Sequence, residues 1–182
     1  MSDDGVVDDL DLTAFEDTLA GDEPAGPPPS PPPPPLAPNT GAGLAGVYFD
    51  NQTLSGNPVL QRTEAINFGW GTNSPGPGVN KDSISVRWTG SVEATATGTF
   101  TFQTVSKGGV RLWVNRALVV DNWTNHATAT NNSPVITLSK NQRYAITMEF
   151  CDDTGAAVAR LKWKRPDQTT YAAVPKSRLH AD

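Results

Sequence analysis

The sequence predicts an all-β fold, a β-sandwich or an open barrel, for residues 41–182. Short segments in this region alternate apolar with polar residues, as in ISVRW at 84–88, which is the period of a half-buried strand. Gly, Asn, Asp and Ser separate these segments, and no apolar stretch keeps a helical period over two turns. About 140 residues of this kind bury enough surface for an independent core.

Three further alternating segments support the prediction, because their apolar residues share one face of a strand. They are Phe100 with Phe102, then Val110, Leu112 and Val114, and finally Tyr144, Ile146, Met148 and Phe150. Among the tryptophans, Trp88, Trp113 and Trp163 lie within such segments, and we expect them in the core.

The charge of the chain divides it into two parts. Residues 1–40 contain nine acidic residues and no Lys or Arg, whereas residues 41–182 contain ten acidic and fourteen basic residues. The basic residues are too few and too scattered for the electrostatic footprint of a nucleic-acid-binding protein. No stretch approaches the roughly 18 apolar residues that span a bilayer. We therefore expect no nucleic-acid partner and no membrane span.

Residues 1–23 form an acidic segment with a periodic apolar minority. Thr13 and Glu16 have the spacing of a capping box, and Gly21 lies where a C-terminal glycine would end a short helix. One interpretation is a solvated acidic tail. The other is an anchor that orders on a protein carrier, such as a capsid, a tail or a scaffold. Its candidate docking residues are Leu10, Leu12, Phe15 and Leu19.

Residues 4–12 also resemble the back half of a dockerin or EF-hand calcium loop. Asp4, Gly5 and Asp11 take the places of the ligand at loop position 5, the glycine at 6 and the acidic ligand at 12. The first ligand has no counterpart in the sequence, so we expect no strong calcium binding there.

Residues 24–40 form a proline-rich spacer, and ten of the sixteen prolines lie between residues 24 and 38. Such a run favours the polyproline II conformation, which rises about 3.1 Å per residue, so fifteen residues separate their neighbours by roughly 45 Å. A semi-rigid spacer is the commoner meaning of this composition, and an SH3-type ligand is the alternative.

The sequence carries no pattern typical of an enzyme. Cys151 is the only cysteine, which excludes an internal disulfide and a cysteine-rich zinc site. His126 and His180 are too far apart for a recognisable zinc motif, and no G-x-S-x-G nucleophile motif is present. Asp152 and Asp153 are adjacent on a predicted strand, so their carboxyl groups point to opposite faces rather than converging as in a glycosidase.

Residues 43–180 resemble the protective-antigen (PA-fourteen) domain family, whose members are β-sandwiches. The resemblance rests on several blocks that occur in the family's order. They are residues 43–50 (GLAGVYFD), 85–90 (SVRWTG), 97–102 (TGTFTF), 109–115 (GVRLWVN), 119–123 (VVDNW), 159–163 (ARLKW) and 174–175 (VP).

The resemblance implies carbohydrate binding, which in this family often depends on calcium. Calcium-dependent members have two adjacent aspartates where this sequence has Lys107 and Gly108. Those two residues supply no side-chain oxygen, whereas calcium requires six to eight oxygen ligands. Asp152 and Asp153 correspond to the family's second calcium loop. We therefore predict no cofactor and an ion pair between Lys107 and Asp152 or Asp153.

The function predicted from the sequence is a non-catalytic, lectin-like display or adhesion domain at a cell or virion surface. Its partners would be glycans or cell-surface polysaccharide, bound by a domain that the spacer holds away from its carrier. One alternative is a phage virion protein that decorates a capsid or tail. Another is a carbohydrate-binding module from a secreted bacterial enzyme. The candidate ligand-binding residues are Lys107, Gly108, Asp121, Asn122, Trp123, Asp152 and Asp153.

Overall fold

The computed structural model describes residues 41–181. The predictions for the acidic segment, the spacer and the docking residues Leu10, Leu12, Phe15 and Leu19 lie outside this range. The described strands are β1 (Leu44–Phe49), β2 (Leu60–Glu64), β3 (Asn67–Gly71), β4 (Ile84–Glu93), β5 (Gly98–Lys107), β6 (Gly109–Val114), β7 (Ala117–Asn122), β8 (Ala129–Asn132), β9 (Ile136–Leu138), β10 (Arg143–Asp152), β11 (Ala157–Lys164), β12 (Ala172–Ala173) and β13 (Leu179–His180). The helical part of this range is one 3₁₀ turn, Lys176–Arg178.

The strands form two antiparallel sheets. The first sheet has the order β2-β1-β4-β10-β6-β7, and β13 adds to β4. The second has the order β12-β11-β5-β8, with β3 on β11 and β9 on β5. The two longest strands of the first sheet, β4 and β10, pair along their full length, from Arg143 opposite Glu93 to Asp152 opposite Ile84. The predicted all-β sandwich is confirmed.

The core lies between the sheets and follows the predicted alternation. Ile84, Val86 and Trp88 of β4 are fully buried, as are Phe100 and Phe102 of β5. The inward residues thus come from both sheets, which is how two half-apolar sheets bury their faces against each other. Trp163 of β11 is also buried, as expected.

The expectation for Trp113 was wrong. Val110, Leu112 and Val114 of β6 point into the core, so the residues between them point outward. Trp113 is therefore half-buried on the outer face of the first sheet. It lies opposite Thr147 of β10.

A second, smaller apolar cluster covers one end of that outer face. Val47, Phe49 and Leu54 are buried in it, and Trp123 packs against them. The amide N–H of Leu54 donates to the hydroxyl of Ser85 at 3.0 Å, which fixes the loop after β1 to the edge of β4. This cluster holds the loops that lie beside the candidate site. No helix among residues 41–181 is long and apolar enough to cross a membrane.

Candidate functional site

Lys107 lies at one end of the sandwich, where β5 ends beside the loop that follows β10. Its ammonium donates a hydrogen bond to the carbonyl oxygen of Thr154 at 2.9 Å. The same nitrogen is 3.9 Å from Oδ1 of Asp152. The expected pairing of Lys107 with Asp152 is therefore present. The lysine bridges the two sheets, because β5 and β10 belong to different sheets.

Asp152 is a buried carboxylate that has, among the described residues, one nearby cation and no hydrogen bond to offset the loss of water. It continues the inward alternation of Met148 and Phe150 on β10, so its side chain is fully buried at the end of the core. Neither carboxylate oxygen has a hydrogen-bond partner. Burial raises the pKa of Asp152, Lys107 opposes that rise, and the charges of Asp82 and Asp153 add to it.

Gly108 has a conformation and a neighbourhood that exclude a side chain. Its φ angle is +97°, and a Cβ atom there would lie 2.2 Å from the carbonyl oxygen of Cys151. Its amide donates to the carbonyl of His126 at 3.1 Å, which joins the loop after β7 to this end of the sandwich. An aspartate at this position would require the backbone to move.

Asp153 is partly exposed and accepts hydrogen bonds from two amides. Gln52 donates to its Oδ1 at 2.9 Å, and Asn125 lies 3.4 Å from its Oδ2. Asp82 accepts from the backbone N–H of Gly155 at 2.9 Å, which holds the loop after β10 on its other side. Five loops thus contribute to one polar surface around Lys107.

Sequence reasoning missed Gln52, Asp82 and Asn125. Gln52 lies 101 positions from its partner Asp153, and Asp82 lies 73 from Gly155. All three residues are in loops, where neither strand alternation nor a motif spacing marks a polar residue. Only the folded topology brings these loops together.

The structure does not bring Asp121, Asn122 and Trp123 to one point. Asp121 is exposed on β7. Asn122 lies 3.4 Å from the amide of Asn131 on β8 and accepts from Thr124. Trp123 belongs to the second apolar cluster, and the guanidinium of Arg111 lies 4.1 Å from its ring centroid. One face of this indole is therefore already occupied.

Calcium does not fit the site around Lys107. An ammonium group occupies the space between Asp152 and the Thr154 carbonyl, and Gly108 leaves no room for a second carboxylate. The carboxylate oxygens of Asp153 face amide groups instead. Among residues 41–181, no group of three or more His, Cys, Asp or Glu side chains is placed to hold a metal ion. An ion with six to eight oxygen ligands lacks its coordination sphere here.

The groups capable of nucleophilic or general-base chemistry are dispersed. Nδ1 of His126 lies 2.7 Å from the carbonyl of its neighbour Ala127. His180 is buried beside Glu93, with 3.4 Å between Nε2 and the carboxylate. Burial raises the pKa of the Cys151 thiol, which favours the unreactive protonated form.

The fold and the site define an antiparallel β-sandwich with a loop-built polar surface at one end. The family model of the PA14 domain matches residues 41–177. The chain belongs to this family, as the resemblance to the protective-antigen domains indicated.

The similar proteins include an anti-sigma factor and an anti-sigma factor domain-containing protein. The anti-sigma-I factor RsgI3 of Acetivibrio thermocellus is 39% identical over 141 residues, which are 78% of this chain and 22% of the relative. The structure of an anti-sigma factor domain-containing protein from Clostridium clariflavum matches with a TM-score of 0.74 and 32% identity, over 84% of this chain and 53% of that one.

A PA14 sugar-binding domain from an RTX adhesin matches with a TM-score of 0.64 and 17% identity, over 78% of this chain and 99% of that one. At that identity the likeness shows the fold alone. The chain spans about a fifth of the curated relative and about half of the Clostridium clariflavum structure.

Proposed function

We propose that residues 41–182 form a non-catalytic carbohydrate-binding domain that binds glycan at the loop surface around Lys107 without calcium. The observation that carries the proposal is the position of the Lys107 ammonium, between Asp152 and the Thr154 carbonyl. A cation at this point holds the loop after β10, which is a structural task that a bound metal performs in other sites. Because the cation is covalently part of the chain, the loop is ordered without a metal.

The groups left for a ligand are those that bind sugar hydroxyls. Asp153, Gln52 and Asn125 converge at the mouth of the site, and both amide residues are exposed. Carboxylate and amide groups supply the acceptors and donors that orient a ligand in a shallow pocket. Asp153 is already held by the two amides, so it presents its remaining lone pairs in a fixed geometry.

The proposed domain is non-catalytic, and the dispersion of His126, His180 and Cys151 described above supports this part of the proposal. It also assigns the domain a carrier. Similarity to an anti-sigma factor and to an anti-sigma factor domain-containing protein supports a sensing role, in which glycan bound by this fold supplies the input to a regulator of a sigma factor. Decoration of a virion and attachment to a secreted enzyme stay predictions. We propose an extracellular location for the domain, since polysaccharide is found there.

A glycan array probed with the full chain in excess EDTA tests the binding. We expect at least one glycan to bind. For that glycan, Asp153→Ala and Asn125→Ala should each weaken the affinity about fivefold to tenfold, the effect of one lost hydrogen bond. Asn132→Ala is the matched control. Asn132 is an exposed amide of the second sheet that accepts a hydrogen bond from Gln103 of the same sheet and does not contact Asp153. Equal loss in the control, or binding only with added calcium, would contradict the proposal.

The sensing role has a separate test. Residues 41–182 can replace the aligned part of the Acetivibrio thermocellus relative, and transcription from a promoter of its sigma factor can be measured. We expect the glycan found on the array to change transcription in the chimera. The chimera with Asp153→Ala should respond only at higher glycan concentration. A chimera that regulates normally but ignores the glycan would rule out the sensing role while leaving glycan binding intact.

A further inference from the structure

The outer face of the first sheet contains an open depression of about 500 Å³, whose lining residues do not include Lys107. We name it the arginine face. It is lined by Arg87, Thr89, Trp113, Arg116, Ala145, Thr147 and Glu149. Strands β4, β10 and β6 supply two rows across it. One row is Arg87, Glu149 and Arg111, and the next is Thr89, Thr147 and Trp113.

The charges of the arginine face are unbalanced. Glu149 is its one carboxylate, and that group is already saturated, by Arg87 at 2.8 Å and Arg111 at 2.8 Å. The side chain of Arg87 remains 42% exposed. Arg116, in the turn between β6 and β7, is exposed and forms no ion pair with the described residues. Asp121 lies opposite Arg111 on β7 but is exposed and outside the depression.

The aromatic group of this face is Trp113, which is half-buried. It lies opposite Thr147 of β10, and Thr89 of β4 follows Thr147 in the same row. The guanidinium of Arg111 lies 5.6 Å from the ring centroid of Trp113 and 4.1 Å from that of Trp123, so it is closer to Trp123. An indole can stack on the C–H face of a pyranose ring, and threonine hydroxyls can form hydrogen bonds with the hydroxyl groups of the sugar. Guanidinium groups bind carboxylates through two parallel N–H···O bonds.

We infer that the arginine face is a second ligand site and that it binds carboxylate-bearing polysaccharide, that is, chains of uronic acids. Trp113 stacks on the sugar ring. Arg116 and the free edge of Arg87 bind its carboxylate. The ion pairs with Glu149 restrain the guanidinium groups of Arg87 and Arg111 before a ligand arrives, which lowers the cost of ordering them on binding. This site does not depend on the proposed loop site, since the two share no residue.

Titration of the full chain with an oligogalacturonate and with a neutral oligosaccharide of equal length tests the inference. We expect the acidic ligand to bind at least tenfold more tightly, and the difference to shrink as salt rises. Arg116→Gln and Trp113→Ala should each weaken the acidic ligand about tenfold. Arg160→Gln, which removes a half-buried arginine from β11 of the other sheet, is the matched control and should leave the affinity within twofold.

Two results would overturn the second site. One is an affinity for oligogalacturonate that Arg160→Gln lowers as much as Arg116→Gln, which would mean general charge attraction. The other is equal binding of the neutral ligand. Asp153→Ala separates this site from the loop site. Loss of oligogalacturonate binding in that variant alone, with Arg116→Gln unaffected, would assign the acidic glycan to the loop site and leave the arginine face without a ligand.

Discussion

Glu149 and Asp152 are buried carboxylates on the same strand, β10, three positions apart and on opposite faces. Both oxygens of Glu149 are paired, one with Arg87 and the other with Arg111, each at 2.8 Å. Both oxygens of Asp152 lack a hydrogen bond, and the Lys107 ammonium lies 3.9 Å from Oδ1. One strand therefore carries a saturated carboxylate and an undersaturated one.

The difference separates a structural group from a functional candidate. A buried charge that is fully bonded costs little further, whereas an unbonded buried charge lowers stability. Asp152 occupies such a costly position, buried beneath the five loops of the site, and perturbed carboxylates in such places are candidates for function. The comparison predicts different responses when each carboxylate, or its cation, is removed.

Removal of Glu149 should have the largest effect on stability. Glu149→Ala leaves two arginines without their shared acceptor, and we expect a loss of about 2–3 kcal/mol in the free energy of unfolding. The expected loss is below the roughly 3–5 kcal/mol typical of a broken buried pair, because both guanidinium groups stay in contact with water. Chemical denaturation measures it. Asp167→Ala, which breaks the exposed pair with Arg165, is the control and should cost under about 0.5 kcal/mol.

Removal of Lys107 should have a smaller effect that depends on Asp152. Lys107→Met removes the cation of a buried carboxylate, and we expect a loss of about 1–2 kcal/mol at neutral pH. The added change Asp152→Asn should recover most of that loss, because the uncompensated charge is then gone. A double-mutant cycle by chemical denaturation measures the coupling. Purely additive effects would mean that the two residues do not interact.

The pH dependence of the stability of Asp152→Asn shows whether the ionised Asp152 carboxylate stabilises or destabilises the fold. Burial raises the pKa of Asp152 above its unfolded value. Asp152 therefore does not lower the stability of the fold below its unfolded pKa, near 3.9, where the carboxyl group is protonated in both states. As pH rises through the folded pKa, the buried group must ionise and the fold loses stability. Compared with the natural protein, Asp152→Asn should gain stability at neutral pH and gain nothing at low pH. Chemical denaturation at several pH values measures this stability difference. A variant that is more stable than the natural protein only at low pH would contradict the claim that the ionised Asp152 is destabilising.

Removal of residues 1–40 should have a small effect. The alternating apolar segments that predict the sandwich all lie within residues 41–182, and the sequence of the proline-rich spacer contains no such segment. We expect the melting temperature of the truncated chain to stay within a few degrees of the full chain. A molten or aggregated product would contradict the predicted domain boundary.

The fold could be predicted because alternation reports which face each strand buries. Ile84, Val86 and Trp88 alternate with polar residues, and the structure buries all three. The same rule places Trp113 outside, since its neighbours Leu112 and Val114 point inward. The expectation that Trp113 is a core residue rested on its position within a strand and ignored which face of β6 its position gives it.

The candidate site could be predicted only in part. The family resemblance predicted that Lys107 pairs with Asp152 or Asp153, and the ion pair with Asp152 at 3.9 Å agrees. The depth of Asp152 follows from the alternation of β10, which continues past Phe150. Gln52 and Asn125 could not be predicted, because their closeness to Asp153 depends on where long loops cross in the folded chain.

The central claim is that the Lys107 ammonium holds the loop after β10 in place at the loop site, so that glycan binds without a metal ion. The most direct test is the affinity of the full chain for its array-identified glycan, measured by titration calorimetry in excess EDTA and again in millimolar calcium, with the melting temperature recorded in both. The account predicts the same dissociation constant and the same melting temperature, because a ligand that does not bind the native state cannot stabilise it. Glycan affinity or a melting temperature that rises with calcium would contradict it.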